Sequence, residues 1–314
     1  MQLRIVFCGT PEFAVPSLHH LLAQPDFQVV GVVTQPDRPR GRSLAISSSP
    51  VKEAAVGAGV PVYQPAKIKS DEAFEFFKQA APDAVVIIAY GQIIPQRLIE
   101  IPRLGWINLH GSLLPKYRGA APIHRAILNG ETQSGLTTMN IDVGLDTGPM
   151  LLKYETEIRP DETAPELYAR LSKAGAPLVA ETLRGLDGGT VTAKPQDNSQ
   201  ASFAPPLKKE EGRIDWSLSA QQIYNRVRGL QPWPGAFSSF RGKNCAIWGR
   251  PVYPTAAVSD SPGEIHKANG NVVVVCGERT SLLLEFVQLE GRKRVSALEF
   301  ANGARLAPGD RFGS

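Results

Sequence analysis

Short apolar runs alternate with amphipathic stretches along the first half of the chain. The runs are continuous and rich in Val and Ile, which is typical of strands buried on both faces of a parallel sheet. Stretches with helical periodicity separate them, as in repeated β-α-β units. Strands are predicted over residues 3–8, 29–34, 84–89 and 106–109, and helices over residues 16–22, 50–57 and 71–80. The pattern predicts an α/β fold with a doubly wound, mostly parallel sheet.

The pattern changes after a long helix that is predicted over residues 162–186. Residues 190–206 are polar, contain three prolines and show little periodicity, which is typical of a linker. Beyond them, a helix is predicted over residues 220–230, and short strands over residues 236–240, 245–248, 270–276 and 281–289. Short strands at this spacing favour a small β-barrel. We therefore predict a first domain over residues 1–189, a linker over 190–206 and a second domain over 207–314.

The composition is that of a folded protein from a reducing compartment. Hydrophobic residues make up 42% and charged residues 20% of the 314 positions, which suffices for ordinary cores. No apolar run approaches the ~20 residues that span a bilayer, and the first residues lack the pattern of a signal peptide. The scattered cysteines, Cys8, Cys245 and Cys276, indicate neither a disulfide framework nor a zinc cluster. We expect a cytoplasmic protein that has no membrane association.

The net charge of +4 is distributed unevenly. Residues 205–314 hold 15 Lys and Arg against 10 Asp and Glu, whereas residues 1–204 hold 19 against 20. A surplus of this size is usually a solvated surface, but it also suits a partner that carries phosphates. The basic excess therefore belongs to the second predicted domain.

Asn108 and His110 lie at the end of a predicted strand, directly before Gly111. Since alternate residues of a strand point to the same face, the two side chains project together. An amide can donate to a developing oxyanion, and an imidazole can exchange a proton near neutral pH. Taken alone, such a pair belongs more often to local structure than to a catalytic site.

Asp142 and Asp146 lie among small residues that can form a turn or bring a carboxylate to the imidazole. No reactive nucleophile accompanies them, since the sequence has no GxSxG motif. The five histidines form no metal-ligand spacing, so no metal is expected. We therefore expect direct acyl transfer, in which an amide, an imidazole and a carboxylate position the reactants and carry protons.

Residues 108–123 and 142–148 resemble the two signature segments of the folate-dependent formyltransferase family. The resemblance implies that Asn108, His110 and Asp146 are catalytic and that 10-formyltetrahydrofolate donates the formyl group. It also implies a Rossmann-like core followed by a C-terminal OB-type β-barrel. The residues that it implies in folate binding are Ile88, Ala89, Tyr90, Gly91, Ser112, Leu113, Leu114, Pro115 and Asp142.

Further segments resemble the branch of this family that acts on methionyl initiator tRNA. Residues 34–39 open a loop that is similar to the one contacting the tRNA acceptor end, while residues 214–216 and 231–234 resemble parts of the OB-type domain. The resemblance implies initiator methionyl-tRNA as the partner of a monomeric enzyme. Its implied contacts are Arg38, Arg40 and Arg42, although the loop after Arg42 lacks the lysines that are frequent in relatives.

The expected reaction is direct attack of the methionyl amine on the formyl carbon. Asn108 and a protonated His110 are expected to stabilise the oxyanion, at ~3–4 kcal/mol for a preorganised donor, while Asp146 orients His110 and helps to take up the proton. Two alternatives stay open. One is a formyltransferase for a sugar nucleotide, or a formyl hydrolase, with the same core. The other is a tRNA-binding protein with an inactive core, which the intact trio disfavours.

Overall fold

The computed structural model describes residues 2–40, 45–252, 261–268 and 270–313. The chain packs as two compact units. The first unit comprises Met1–Pro122, Gln133–Glu157 and Leu167–Pro205. The second unit comprises Ile123–Thr132, Ile158–Glu166 and Pro206–Ser314. Two short segments of the predicted first domain thus belong to the second unit, which the sequence pattern did not indicate.

The strands described in the first unit are β1 (Leu3–Gly9), β2 (Phe27–Val33), β3 (Arg38–Arg40), β4 (Ala45–Ser47), β5 (Val62–Tyr63), β6 (Ala84–Ile88), β7 (Trp106–His110), β8 (Gln133–Asn140) and β9 (Met150–Glu157). Seven of them form one sheet in the order β5-β2-β1-β6-β7-β8-β9. The pairs from β5 to β7 are parallel, and β7–β8 and β8–β9 are antiparallel. The separate strands β3 and β4 pair antiparallel with each other. The predicted, mostly parallel α/β sheet is confirmed.

The helices up to residue 187 are α1 (Val15–Leu22), α2 (Pro50–Gly57), α3 (Asp71–Ala80), α4 (Gln96–Ile99), α5 (Pro122–Leu128) and α6 (Ala164–Asp187). Serine caps fix the start of two of them. The Ser49 hydroxyl accepts from the Lys52 amide at 3.1 Å, and the Ser70 hydroxyl accepts from the Ala73 amide at 3.2 Å. Such caps satisfy backbone donors that a helix cannot satisfy internally, so α2 and α3 begin where the sequence predicts.

The order of the main sheet reverses at β1. The chain builds β2 and β5 on one side of β1 and then crosses to place β6 and β7 on the other side. Ligands of open α/β sheets bind at such a switch point, beyond the carboxyl ends of the strands. Thr10 follows β1 there, Ala89 follows β6, and Asn108 and His110 lie in the last three residues of β7. The fold therefore gathers these segments at one edge of the sheet.

The second unit contains α7 (Ala220–Gly229), β10 (Phe237–Phe240), β11 (Lys243–Pro251), β12 (Ile265–Ala268), β13 (Asn271–Val275), β14 (Ser281–Leu289), β15 (Val295–Ser296) and α8 (Ala297–Gly303). Its antiparallel sheet has the order β10-β11-β14-β13-β12, and β15 pairs with β14. The described strands do not close on each other directly. Instead, Phe312 bridges to Phe240 at one edge, and Arg311 bridges to Glu264 beside the other. This arrangement agrees with the predicted OB-type domain, as an open sheet whose edges are joined by the C-terminal residues.

The polar stretch predicted as a linker pairs with the first unit along much of its length. Lys194 and Met150 exchange two backbone hydrogen bonds of 2.8 Å. Further along, the amide of Arg118 donates to the Ser202 carbonyl at 2.8 Å, and the amide of Ala204 donates to the Arg118 carbonyl at 2.7 Å. We call residues 194–204 the strap, because they run along the loops that carry the candidate catalytic residues.

Candidate active site

The structure brings the three predicted catalytic side chains together. The amide nitrogen Nδ2 of Asn108 donates to Oδ1 of Asp146 at 3.4 Å. The Nδ1 atom of His110 lies 3.6 Å from Oδ2 of the same carboxylate. His110 is 6% exposed and the Asp146 side chain 14%, so the carboxylate meets the imidazole with little water around it. The expected convergence of an amide, an imidazole and a carboxylate is present.

A backbone carbonyl sets the orientation of the His110 ring. The Nε2 atom of His110 lies 2.9 Å from the carbonyl oxygen of Tyr117, which can only accept a hydrogen bond. Nε2 therefore carries a proton, and Nδ1 faces Asp146. Tyr117 itself has a φ of +62°, in the left-handed region that non-glycine residues rarely adopt. The sequence pattern did not mark Tyr117 as part of the site.

The backbone also holds the Asp146 carboxylate. The amide of Gly119 donates to its Oδ2 at 2.8 Å, a charge-assisted hydrogen bond that fixes the carboxylate beside His110. Gly119 has a φ of +118°, and a Cβ atom there would lie 2.9 Å from the carbonyl oxygen of Ala204. A side chain at position 119 would therefore push the loop away from Asp146.

The predicted folate segment 112–115 forms a tight turn after β7. The Ser112 hydroxyl donates to the Lys116 carbonyl at 2.6 Å. Leu114 is fully buried, its amide donates to the Thr137 hydroxyl at 3.1 Å, and its carbonyl accepts from Lys153 Nζ at 2.7 Å. Leu114 is thus a core residue that supports the turn, whereas Leu113 stays half-buried at its surface.

Asp142 makes a turn within its own loop. Its Oδ1 accepts from the Gly144 amide at 3.0 Å, and both carboxylate oxygens accept from the Thr147 hydroxyl at 2.8 and 2.9 Å. Two apolar side chains of this loop, Val143 and Leu145, are exposed. The loop therefore presents an apolar surface next to Asp146, as small-ligand sites commonly do.

The predicted pterin wall of residues 88–91 alternates between core and surface. Ile88 and Tyr90 are buried, and burial, followed by the nearby Cys8 and Tyr63, raises the pKa of the Tyr90 hydroxyl. Ala89 and Gly91 are exposed and have φ angles of +48° and +86°. Ala89 and Gly91 are therefore the exposed members of this segment. The Tyr90 carbonyl accepts a hydrogen bond from Gln35 Nε2 at 3.0 Å.

A cavity of about 320 Å³ lies at the ends of β1, β2 and β6. Most of its lining residues carry polar groups. The resemblance had already marked those in segments 34–39 and 90–91, but not Ser47 and Ser49. The lining residues are Thr10, Gln35, Pro36, Arg38, Ser47, Ser49, Tyr90 and Gly91. Arg38 thus faces a cavity at the switch point. The side chain of Arg40 and the whole of Arg42 fall outside the described residues, so their predicted roles stay predictions.

In the part of the chain that the structure describes, no group of three His, Cys, Asp or Glu side chains could hold a metal ion. Within the same residues, no helix is both long and apolar enough to cross a membrane. The three cysteines are buried and are not paired in disulfides.

Two sequence families match the chain. The family described as "Formyl transferase" matches residues 3–183, which include the trio. The family described as "Formyl transferase, C-terminal domain" matches residues 206–305.

Similar proteins match from end to end. The methionyl-tRNA formyltransferase of Solibacter usitatus (strain Ellin6076) is 53% identical over 312 residues, 99% of each chain. That of Koribacter versatilis (strain Ellin345) is 51% identical over 310 residues, 98% of each chain. Among solved structures, the sugar 3N-formyl transferase WlaRD, in the presence of dTDP and 5-N-formyl-THF, superposes with a TM-score of 0.68 at 19% identity. The match covers 93% of this chain and 100% of that one, and it concerns the fold alone.

Proposed function

Because the chain belongs to the methionyl-tRNA formyltransferase family, we propose that it transfers a formyl group from 10-formyltetrahydrofolate to the amino group of methionyl initiator tRNA. The observation that carries the proposal is the end-to-end match to relatives of that name. The convergence of Asn108, His110 and Asp146 supplies the chemistry. The reaction serves translation initiation, so we propose that the enzyme acts in the cytoplasm. We also propose that it acts as a monomer.

In the proposed reaction, the amine nitrogen attacks the formyl carbon directly. A carbon–nitrogen bond forms, and the formyl oxygen takes up negative charge in a tetrahedral intermediate. The bond from this carbon to N10 of the folate then breaks, N10 gains a proton and the amine loses one. No covalent enzyme intermediate is required, in agreement with the burial of all three cysteines.

Asn108 is the proposed oxyanion donor. Its Nδ2 carries two hydrogens, and the contact to Asp146 at 3.4 Å uses only one of them. The second hydrogen is available to the formyl oxygen. Asn108 is half-buried and lies in the middle of β7, so the donor is held in place before the reaction. A preorganised donor of this kind lowers a barrier by about 3 kcal/mol.

His110 and Asp146 are the proposed proton carriers. Since Nε2 of His110 donates to Tyr117, the ring exchanges protons through Nδ1, on the side of Asp146. The Asp146 carboxylate accepts the proton that the attacking amine loses. A protonated Nδ1 of His110 would balance the negative charge of the oxyanion. The Gly119 amide keeps the carboxylate from rotating away during this exchange.

The folate is proposed to lie against the segments 88–91, 112–115 and 142–146. Exposed Ala89 and Gly91 on one side and the exposed loop of Val143 and Leu145 on the other offer surface to a flat ring. Ile88, Tyr90 and Leu114 support these segments from the core rather than touching the ring with their side chains. Small-ligand sites commonly combine such apolar walls with a few polar groups, which here would face the hydrogen-bonding edge of the ring.

The tRNA is proposed to reach both ends of the chain. The polar cavity at Thr10, Gln35 and Arg38 adjoins the proposed folate segment at Gly91, so it suits the aminoacylated 3′ end. Arg38, Arg40 and Arg42 would contact the acceptor end. In this proposal residues 1–189 carry the reaction, residues 190–206 connect, and residues 207–314 bind tRNA phosphates.

The test is a formyl-transfer assay with three acceptors. The enzyme is given 10-formyltetrahydrofolate and either methionyl initiator tRNA, an amino-sugar nucleotide, or water alone. We expect formylmethionyl-tRNA to form and the other two reactions to be slower by several orders of magnitude. Preferential formylation of the sugar nucleotide, or release of formate without an acceptor, would replace the proposed substrate. No reaction with any acceptor would leave only a tRNA-binding role.

A further inference from the structure

Asp146 adopts a backbone conformation that needs external support. Its φ is +52°, and left-handed geometry is uncommon for residues other than glycine. The side chain of neighbouring Leu145 is exposed, so it does not anchor the loop in a core. Strained residues persist only where surrounding contacts over-determine them, and they concentrate at functional sites.

The contacts come from Gln196 in the strap. Its Nε2 donates to the carbonyl oxygen of Asp146 at 2.9 Å and to that of Gly148 at 2.8 Å. One side-chain amide therefore holds two carbonyls of the catalytic loop, on either side of Thr147. Both hydrogens of the amide are used, so the loop cannot turn at Asp146 without breaking a bond.

A buried arginine fixes the orientation of the Gln196 amide. Arg118 is 4% exposed, and its Nε and Nη2 donate to Oε1 of Gln196 at 3.0 and 2.8 Å. Its Nη2 also donates to Oδ1 of Asn198 at 2.8 Å. Because guanidinium nitrogens only donate, they must face the amide oxygen, and the amide nitrogen must face the two carbonyls. The surrounding donors and acceptors therefore fit only one placement of the Gln196 amide oxygen and nitrogen.

The same strap also holds the partner of His110. The Ser202 hydroxyl accepts from the amide of Tyr117 at 2.9 Å. The carbonyl of Tyr117 is the group to which His110 Nε2 donates. The strap therefore contacts the backbone on both sides of the trio, at Asp146 through Gln196 and at Tyr117 through Ser202.

We propose that Gln196 is a positioning residue for catalysis, which holds the Asp146 backbone so that its carboxylate stays between Asn108 and His110. This inference rests on the proposed function, because it assigns Gln196 to the proton transfer that the trio performs. A shift of about 1 Å in a catalytic group can lower a rate ~100-fold, so a single distant amide can have a large effect.

The test replaces Gln196 without changing its size. Gln196→Glu keeps an oxygen for Arg118 but removes both donors to the loop, and Gln196→Met removes all polar contacts in case the charged variant does not fold. Gln200→Glu is the matched control, since Gln200 lies in the same strap and donates only to Asp197. For each variant, kcat is expressed per folate-binding site, and KM values and melting temperature are measured beside it.

We expect Gln196→Glu or Gln196→Met to lower kcat about 10- to 100-fold, with KM values within about twofold of the wild type. Gln200→Glu should match the wild type. The inference is overturned if kcat per binding site equals that of Gln200→Glu, or if the loss follows only the loss of folate-binding sites. A wild-type enzyme without activity on methionyl-tRNA would instead overturn the proposed function, so the two failures are distinguishable.

Discussion

The Oδ2 atom of Asp146 lies 3.6 Å from Nδ1 of His110, although 35 residues separate them along the chain. His110 ends a central strand, and Asp146 lies in a loop beyond the next strand of the same sheet. A Gly119 amide and a Tyr117 carbonyl hold the two side chains from the opposite loop. The site is therefore preorganised by backbone groups.

Replacing Asn108 or His110 with Ala should abolish most turnover while the protein stays folded. Asn108 supplies the proposed oxyanion donor, and loss of one such donor typically lowers kcat about 100- to 1,000-fold. Steady-state formyl transfer to methionyl-tRNA measures the loss. His19→Ala, on the exposed side of α1, is the control and should keep full activity. If His110→Ala kept near-normal turnover, the proposed roles of the trio would be wrong.

Thiol reagents should neither modify nor inhibit the native enzyme. Cys8, Cys245 and Cys276 are at most 1% exposed, and burial raises the pKa of Cys8 and brings those of Cys245 and Cys276 to about 12. Because the thiolate is the reactive form, native enzyme at pH 8 should resist iodoacetamide. Mass spectrometry should find three alkylated thiols only after unfolding in urea. Rapid inactivation that follows a single label would point to a catalytic cysteine.

The sequence predicted the elements whose cause is local. Helices α2 and α3 begin at serine caps, and β1 and β6 are continuous apolar runs. The convergence of Asn108, His110 and Asp146 was also predicted, because strand ends of one sheet meet at one edge and because the segments resemble a known family. These predictions needed no tertiary information.

Long-range contacts account for what the sequence did not predict. Strands β8 and β9 are not rich in Val and Ile, and they form because a pairing partner is present. Residues 123–132 and 158–166 belong to the second unit through contacts made far along the chain. Gln196 acts through hydrogen bonds to backbone carbonyls, which leave no periodicity and no motif. Residues 190–206 therefore have the composition of a linker, although part of this stretch, the strap, lies along the site.

Acidic pH should destabilise the protein partly through His124. Burial, then the charge of Arg125, lowers the pKa of His124 from 6.5, so the folded state disfavours its protonation. A group with a lowered folded pKa contributes stability above its unfolded pKa, and this stability is lost as the pH falls below about 6.5. Urea unfolding at pH 7.5 and 5.5 should show a larger loss in the wild type than in His124→Gln. The exposed His19→Gln variant should lose as much as the wild type.

Arg228→Ala should destabilise the second unit by roughly 3 kcal/mol. Arg228 is 5% exposed, and it donates to Asn225 Oδ1 at 2.9 and 3.1 Å and to the Glu162 carbonyl at 3.0 Å. Truncation leaves these buried acceptors unsatisfied, at about 1–3 kcal/mol each. Denaturant unfolding measures the change. Arg226→Ala is the control, since Arg226 lies on the same helix and makes a long 3.5 Å contact to the Gln222 carbonyl; it should change stability by less than about 1 kcal/mol.

Loss of Arg294 should weaken tRNA binding through the second unit. Its guanidinium lies over the rings of Trp248, 5.2 Å from the centroid, and of Phe286, 4.8 Å away. These two aromatic residues are direct neighbours on β11 and β14. Among the described residues, Arg294 forms no ion pair, so its charge is held in place but not neutralised. The exposed Arg292 and Lys293 precede it. A fixed, unneutralised guanidinium suits a phosphate, and the rings below it can stack with a base.

This test uses full-length variants. Residues 123–132 and 158–166 belong to the second unit, so a fragment that lacks residues 205–314 would remove the rest of the unit to which these segments belong. We expect Arg294→Ala to reduce tRNA affinity and to flatten the slope of log affinity against log salt by roughly 0.7–0.9, the value of one phosphate contact. Lys267→Ala removes the same charge from β12, two strands away, and should leave the slope less changed. Equal slopes for wild type and Arg294→Ala would remove this surface from the tRNA contact, whereas equal losses in both variants would indicate net charge rather than a specific contact.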